Sequence, residues 1–167
     1  MEHHRQLFVM IEVIDNFLPQ SEFEFLQTEM LSDRIPWYYN DFEIVDTDTR
    51  HYQYTHTLYN EGYESGAFTL MDPLIKKLKV SKLLRIKANS NPKTLFRRKK
   101  GFHVDPWRDC KTAVFHLNNN NGGTKFKGGK FFRGVANRMI IFDSEHVHTG
   151  VSCTDQKRRI VLNFNYY

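Results

Sequence analysis

The second half of the chain consists of short strand-like pieces separated by turn-forming residues, and this pattern restricts the fold more than any other feature. Five pieces carry alternating, mostly β-branched or aromatic residues, at 101–105, 111–118, 124–132, 137–143 and 158–166. Turn formers lie between them, above all in the run 118–123 and at Gly128 and Gly129. Short strands at this spacing favour antiparallel sheets that close into a barrel or pack as a jelly roll.

Helix and strand patterns alternate through the first half of the chain. Strand patterns cover 7–14, 52–58 and 83–91, and apolar residues at helical spacing begin near Ser21 and Phe68. Ser21 and Glu24 have the spacing of a capping box. Together these patterns predict one mainly β (α+β) domain over residues 1–167, with a jelly-roll core supported by N-terminal helices.

The composition is that of a folded, β-rich domain. A hydrophobic content of 40%, with 14 Phe and 8 Tyr, excludes a disordered chain. No apolar run approaches the roughly 20 residues that cross a bilayer, and the N-terminus lacks a secretion-signal pattern. We therefore expect a soluble, cytoplasmic protein in which Cys110 and Cys153 are reduced thiols.

His103 and Asp105 flank Val104 in a predicted strand. Successive side chains of a strand point to opposite faces, so both would project to the same side. With 8 His and 19 acidic residues, about one His-x-Asp/Glu pair is expected by chance, and this chain has one. The pair gains weight from its neighbours, which are a turn before it, a strand after it, a distant histidine and a basic residue entering the last strand.

His148 is the candidate third ligand, 43 residues after Asp105 in a strand-like segment. His146 would share its face, but it lies nearer the turn at Asp143 and Ser144, so we prefer His148. Two imidazoles and one carboxylate can occupy one face of an Fe(II) ion. Three ligands leave positions open, which suits catalysis better than a closed structural zinc site.

The last predicted strand begins with Arg158 and Arg159. Ile160, Leu162 and Phe164 alternate on one face, which places Arg159 on the other face with polar residues. In an ordinary core that polar face meets solvent. In a barrel that encloses a polar ligand, Arg159 points inward instead, and its guanidinium can bind a carboxylate through two hydrogen bonds. We favour Arg159 over Arg158 as the inward residue.

Three further features keep two interpretations each. The basic cluster 97–100, part of a net charge of +5, is a solvated loop or steers an anionic substrate to the site. The aromatic residues 37–39 pack a sheet edge or line a substrate wall. His56, on the aromatic side of a strand, fits a core or rim histidine better than a fourth metal ligand.

These segments resemble the Fe(II)- and 2-oxoglutarate-dependent dioxygenase superfamily, and within it the prolyl-4-hydroxylase-like branch. The resemblance covers roughly residues 83–167, about half of the chain, and the segments follow the order of the family. They are Arg-Ile-Lys-Ala-Asn at 85–89, Phe-His-Val-Asp at 102–105, Thr-Ala-Val-Phe-His-Leu-Asn at 112–118, Ile-Ile-Phe-Asp at 140–143, the segment around His148, and Arg-Ile-Val-Leu-Asn-Phe at 159–164.

The resemblance implies a double-stranded β-helix in which His103, Asp105 and His148 hold Fe(II). It also implies that 2-oxoglutarate chelates the metal while its far carboxylate meets Arg159, and that dioxygen takes the remaining position. The expected reaction is hydroxylation of a substrate, coupled to decarboxylation of 2-oxoglutarate to succinate. The protein would contribute placement of the reactants and exclusion of water.

Two positions depart from the family pattern. Many relatives have a tyrosine that assists the far carboxylate, and the matching residue here is His116, which can also donate a hydrogen bond. For the near carboxylate, Asn89 is the candidate, with Lys87 behind it.

The substrate is less constrained than the co-substrate. Nucleic-acid dealkylases of the superfamily carry a second arginine six residues after the first, but Asn165 stands there, so a nucleic-acid substrate loses support. The family favours a prolyl or other amino-acid side chain, in a peptide or a small molecule. A non-catalytic jelly-roll binding module and a zinc hydrolase with the same three ligands remain as alternatives, but neither needs an inward arginine as a diacid anchor.

Overall fold

The computed structural model describes residues 10–43 and 51–167, which form two antiparallel β-sheets and a few helices. The strands are β1 Glu12–Ile14, β2 Tyr38–Asn40, β3 Gln53–Asn60, β4 Tyr63–Glu64, β5 Leu83–Pro92, β6 Lys111–His116, β7 Asn120–Phe126, β8 Phe131–Gly134, β9 Arg138–Asp143, β10 His148–Val151 and β11 Arg158–Tyr166. The larger sheet has the order β1-β9-β6-β11-β5-β3-β2, with β4 paired to β3. The smaller sheet has the order β10-β7-β8.

The two helices are α1, Gln20–Met30, and α2, Asp72–Leu78, which follows a 3-10 turn at Phe68–Met71. The predicted capping box is wrong, because no side chain caps α1. The helix already begins at Gln20, after Pro19, so Ser21 lies inside the first turn, where it cannot act as the N-cap. None of the helices in the two described ranges is long and apolar enough to cross a lipid bilayer.

One face of the larger sheet is apolar along its central strands. The opposite face is polar on β5 but carries a second, smaller apolar cluster on β6, β9 and β11, formed by Val114, Ile140, Phe142 and Val161 with Phe126 of β7. Ile86 on β5, Phe115 on β6 and Leu162 on β11 are buried in the same core cluster as Phe23 and Met30 of α1. The rings of Phe23 and Phe115 meet edge to face at 6.0 Å. Burial of this apolar face against the helices is a main source of stability. The opposite faces of β5 and β11 turn their polar side chains towards the smaller sheet.

Several of the predicted strands and one predicted turn differ in the structure. The piece 124–132 is a hairpin of β7 and β8, whose turn contains Gly128 and Gly129 at φ of 106° and 103°. The run 118–123, predicted as a turn, contributes the start of β7. The piece 101–105 is not a strand, because it pairs only through a single bridge between His103 and His148. Of the predicted strand 7–14, residues 7–9 lie outside the described residues, and β1 covers 12–14.

Gly123 explains why a glycine-rich run enters a sheet. A Cβ at this position would lie 2.1 Å from the backbone oxygen of Phe132 on β8. The two strands therefore approach each other more closely than any residue with a side chain would allow. Turn-forming composition here reflects close backbone packing rather than a turn.

We expect Gly123→Ala to destabilise the protein by about 2 kcal/mol, the usual cost of forcing extra atoms into a packed contact. Urea unfolding followed by circular dichroism measures the change. Gly66→Ala is the matched control, since an added Cβ there meets no atom within 4 Å. Equal unfolding midpoints for the two variants would contradict this explanation of β7.

Candidate metal centre and the cavity beside it

Three side chains predicted from the sequence converge in the structure. His103, Asp105 and His148 each offer one ligand atom, and these atoms lie within 4.8 Å of one another. Nε2 of His148 is 4.0 Å from Oδ1 of Asp105, and the two imidazole centroids are 4.6 Å apart. Ligand atoms on one ion are about 3 Å apart, so small side-chain rotations close the set.

The backbone brings the two histidines together although 101–105 is not a strand. The amide of His103 donates to the carbonyl of His148 at 3.0 Å, and the reverse bond is also 3.0 Å. The amide of Asp105 donates to the carbonyl of Ser144 at 3.1 Å. These three bonds fix the segment 103–105 against the beginning of β10 without a continuous ladder.

In each of the three side chains one polar atom is hydrogen-bonded to another part of the protein, and a second polar atom is available to bind a metal ion. Nδ1 of His148 is 2.9 Å from the carbonyl of His146, and Nδ1 of His103 is 3.1 Å from the carbonyl of Gly101. A carbonyl only accepts, so Nδ1 carries the proton in the neutral form of each imidazole, and that form keeps a lone pair on Nε2.

The carboxylate of Asp105 is oriented in the same way. Its Oδ2 accepts hydrogen bonds from Oγ1 of Thr112 and from Nδ2 of Asn165, the latter at 2.7 Å. Oδ1 is thereby directed to His148. Partners of this kind commonly orient metal ligands. Burial lowers the pKa of His148, partly opposed by its bond to the carbonyl of His146, and so favours the neutral imidazole that a metal requires.

A cavity of about 430 Å³ lies next to this cluster, between the two sheets. The polar faces of β5 and β11 form one wall, and Thr124, His148 and Gly150 of the smaller sheet line the other side. This volume is in the range of small-molecule sites. The three converging side chains are at one part of its wall, and a buried guanidinium is at another.

That guanidinium belongs to Arg159, which is only 3% exposed. Its Nη atoms have two long contacts, 3.5 Å to Oδ1 of Asn91 and 3.5 Å to Oγ1 of Thr124. Nε has no hydrogen-bond partner among the described residues. Burial lowers the pKa of Arg159 to about 10, so the group is still charged at neutral pH. In the structure the Arg159 side chain points inward, as strand alternation predicts.

Lys100 and Glu43 lie beside Arg159. Nζ of Lys100 is 3.3 Å from Oε1 of Glu43, and the side chains are 9% and 5% exposed. Glu43 also accepts from Arg98 at 3.3 Å. Burial lowers the pKa of Lys100 to about 8. The basic cluster 97–100 is therefore divided, because Arg97 and Lys99 are exposed whereas Lys100 lines the cavity.

The remaining sequence candidates are divided between the cavity and its surroundings. Asn89 and Lys87 line the cavity, and Oδ1 of Asn89 has no partner among the described residues. His116 is fully buried but does not line the cavity, so direct contact with a ligand there gains no support. Burial, reinforced by Arg159, holds the pKa of His116 well below its usual value. Arg158 lies over the ring of Trp37, at 5.9 Å.

His146 and His56 make packing contacts and hydrogen bonds outside the group of three candidate metal ligands. His146 packs against Phe126 at 4.8 Å between ring centroids. His56 is buried, with Nδ1 2.8 Å from the carbonyl of Pro36 and Nε2 3.0 Å from Oγ of Ser65. The interpretation of His56 as a core histidine is confirmed. Of the aromatic residues 37–39, Tyr38 and Tyr39 are exposed on the edge strand β2.

Sequence reasoning missed the roles of four residues of this site. Thr112 and Asn165 orient Asp105, while Glu43 and Lys100 form the buried ion pair. Alternation along the final strand already placed Asn165 on the face of Arg159, and that was the available signal. Glu43 had none, because it lies in irregular chain far from the other residues in sequence.

Solved structures with the same fold were found at low sequence identity. A prolyl-4-hydroxylase from Pseudomonas putida is 14% identical, with 95% of this chain and 92% of that chain covered and a TM-score of 0.65. An oxidoreductase of the 2OG-Fe(II) oxygenase family from Burkholderia pseudomallei is also 14% identical, with 97% and 86% covered and a TM-score of 0.65. The chain shares the fold of these enzymes.

A third similar structure carries ligands. HygX from Streptomyces hygroscopicus, with nickel and 2-oxoglutarate bound, is 12% identical, with 95% of this chain and 82% of that chain covered and a TM-score of 0.61. No protein-family model and no curated protein sequence matches the chain. The fold expected from the resemblance is thus supported by structure, at identities too low to carry function by themselves.

We expect Thr112→Val to weaken Mn(II) binding about tenfold, because it removes a hydroxyl that orients the Asp105 carboxylate. The electron paramagnetic resonance signal of free Mn(II) measures the dissociation constant. Thr28→Val, on the exposed face of α1, is the control and should leave the constant unchanged. Identical affinities for the two variants would show that Thr112 does not support a metal ligand.

Proposed function

We propose that the protein is an Fe(II)- and 2-oxoglutarate-dependent dioxygenase, with a double-stranded β-helix (jelly-roll) domain spanning residues 1–167. His103, Asp105 and His148 hold the metal ion in this proposal, and Arg159 binds the far carboxylate of 2-oxoglutarate. The observation that carries it is the buried guanidinium of Arg159 in the same cavity as the three converging side chains.

Electrostatics supports a carboxylate at this end of the cavity. A buried charge without a partner costs several kcal/mol, so buried guanidinium groups are normally paired. Among the described residues no carboxylate lies within 4.0 Å of the Arg159 guanidinium. The neighbouring carboxylate of Glu43 forms ion pairs with Lys100 and Arg98 instead. A bound dicarboxylate would supply the missing charge through bidentate hydrogen bonds.

The spacing along β10 supports a short diacid. Gly150 follows His148 by two residues, or about 7 Å along a strand. A Cβ at Gly150 would lie 3.5 Å from Nη1 of Arg159, so the guanidinium is adjacent to this position. A five-carbon diacid is long enough to reach from the metal position to Arg159.

When bound, iron and 2-oxoglutarate supply the oxidising chemistry, in which dioxygen is consumed and 2-oxoglutarate is decarboxylated to succinate as the substrate is hydroxylated. The chain's own residues bind and orient these groups and exclude water from them. Asn89 is the candidate donor to the near carboxylate. His116, whose pKa is held low by burial, is the candidate to assist the far carboxylate by a hydrogen bond, but it does not line the cavity in this structure. The favoured substrate remains a prolyl or other amino-acid side chain.

We expect anaerobic addition of Fe(II) and 2-oxoglutarate to produce a visible charge-transfer band. Arg159→Gln should raise the 2-oxoglutarate dissociation constant about 10- to 100-fold, since it removes charge-assisted hydrogen bonds worth about 1.5–3 kcal/mol. Arg158→Gln is the matched control, because that arginine lies over Trp37 and does not line the cavity. It should change the constant less than about twofold.

His103→Ala and Asp105→Ala should abolish the band. A zinc hydrolase or a binding module would give no band in the wild type, and neither would require Arg159. Equal effects of the two arginine substitutions would overturn the assignment of Arg159.

Lys100 predicts a pH dependence of co-substrate binding. Its pKa is lowered to about 8 by burial, against the attraction of Glu43 and with repulsion from Arg159 and Arg98. Lys100 is therefore charged below pH 8, and its attraction for an anion at Arg159 is lost as the pH rises through 8. We expect the 2-oxoglutarate dissociation constant to be flat from pH 6.5 to 7.5 and to rise severalfold by pH 9. Lys100→Met should flatten this profile, and an unchanged profile in that variant would contradict the role.

A further inference from the structure

A second pair of cations, Arg85 and Lys87, lines the same cavity. Both lie on β5, where alternation turns them towards the cavity while Ile86 is buried in the opposite core. Arg85 pairs across the sheet with Asn165, the residue that donates to Asp105. Arg85 is therefore next to the predicted metal ligand, and along the strand Arg85 and Lys87 lie about 20 Å and about 13 Å from the level of Arg159.

The Arg85 guanidinium is fixed by stacking on an aromatic ring, but no carboxylate forms an ion pair with it among the described residues. It lies over the ring of Trp107 at 4.8 Å, and the indole nitrogen of Trp107 is in turn 3.3 Å from a carboxylate oxygen of Glu61. Nε of Arg85 is buried with no hydrogen-bond partner among the described residues. Stacking on an indole fixes the plane of a guanidinium and leaves its N–H groups for a ligand.

No carboxylate of the described residues forms an ion pair with either cation. Asp105 attracts Arg85 but has its Oδ2 bonded to Thr112 and Asn165. Burial lowers the pKa of both cations, and they repel each other. Two adjacent, half-buried cations in a cavity are stabilised when an anion binds between them.

A count of the charges in the proposed complex shows an excess of positive charge in the cavity. A divalent ion, the Asp105 carboxylate, the 2-oxoglutarate dianion and Arg159 balance one another, as do Lys100 and Glu43. Arg85 and Lys87 then remain as two uncompensated positive charges at the metal side of the cavity. The co-substrate already has Arg159 and the metal for its two carboxylates, so these charges are left for another molecule.

We propose that Arg85 and Lys87 form a subsite for an anionic group, a carboxylate or a phosphate, on the primary substrate. This inference rests on the proposed function, because it assigns the reacting substrate to the space that the co-substrate leaves. The subsite selects substrates that carry a negative charge near the carbon to be hydroxylated. A free amino acid bound by its carboxylate and an acidic or phosphorylated side chain both have this chemistry.

Nuclear relaxation tests the subsite without turnover. The full chain is loaded with Mn(II) in place of iron and saturated with 2-oxoglutarate, and the paramagnetic relaxation of ³¹P in inorganic phosphate and of ¹³C in labelled acetate is measured. Both probes should relax faster when they bind near the metal. The probe with the larger relaxation enhancement indicates whether the subsite prefers a phosphate or a carboxylate. Arg85→Gln and Lys87→Met should each reduce the enhancement at least about fivefold, whereas Arg85→Lys should retain most of it.

Lys127→Met is the matched control, since Lys127 is exposed in the β7–β8 turn and does not line the cavity. The 2-oxoglutarate and Mn(II) dissociation constants are measured for every variant. The 2-oxoglutarate constant should change less than about twofold, and Mn(II) should bind at least as tightly when a positive charge near Asp105 is removed. Unchanged relaxation in Arg85→Gln and Lys87→Met overturns the subsite. A tenfold loss of 2-oxoglutarate affinity in these variants also overturns it, because the pair then serves the co-substrate.

The two proposals fail in different measurements. If the wild type binds Mn(II) but not 2-oxoglutarate, the proposed function is wrong and the substrate assignment falls with it. If 2-oxoglutarate binds and neither probe is relaxed, the function stands and only the anionic subsite is wrong.

Discussion

Burial of the Arg159 guanidinium without a carboxylate partner among the described residues is the constraint on which the rest of this site depends. A cation inside a protein is stable when its surroundings or a ligand supply the opposite charge. Here the surrounding groups are an amide oxygen and a hydroxyl at 3.5 Å, which are weak partners. The neighbouring carboxylate of Glu43 is already bonded to other cations. This is the physical reason for the proposal that an anion binds at this end of the cavity.

The two-faced larger sheet makes this burial possible. β5 and β11 pack Ile86 and Leu162 against the helices, and this apolar face supplies stability. The opposite face is free to carry Arg85, Asn89 and Arg159 towards the smaller sheet. The main apolar core and the residues of the proposed site thus lie on opposite sides of the same strands.

Much of the site could be predicted from alternation and spacing. Ile160 and Phe164 alternate with Arg159 on β11, and this period of two fixes which arginine faces inward. The turn at Asp143 and Ser144 favours His148 over His146 as the ligand, and in the structure His148 lies beside Asp105. Local pattern is sufficient in these cases because the residues lie on regular strands.

The remainder depends on contacts that no local pattern encodes. Residues 103–105 are held by two hydrogen bonds to His148 and one to Ser144 rather than by a strand ladder. Gly123 allows close approach of two strands instead of forming a turn. Glu43 reaches Lys100 across 57 positions of sequence, and a pairing at that separation is visible only in three dimensions.

A crystal structure of the protein grown without oxygen, with Mn(II) and 2-oxoglutarate, tests the central claim most directly. The account predicts one ion bonded to His103, Asp105 and His148, and the far carboxylate of the diacid in bidentate contact with Arg159. A diacid bound elsewhere, or an Arg159 side chain paired with a protein carboxylate while the diacid is bound, would contradict it.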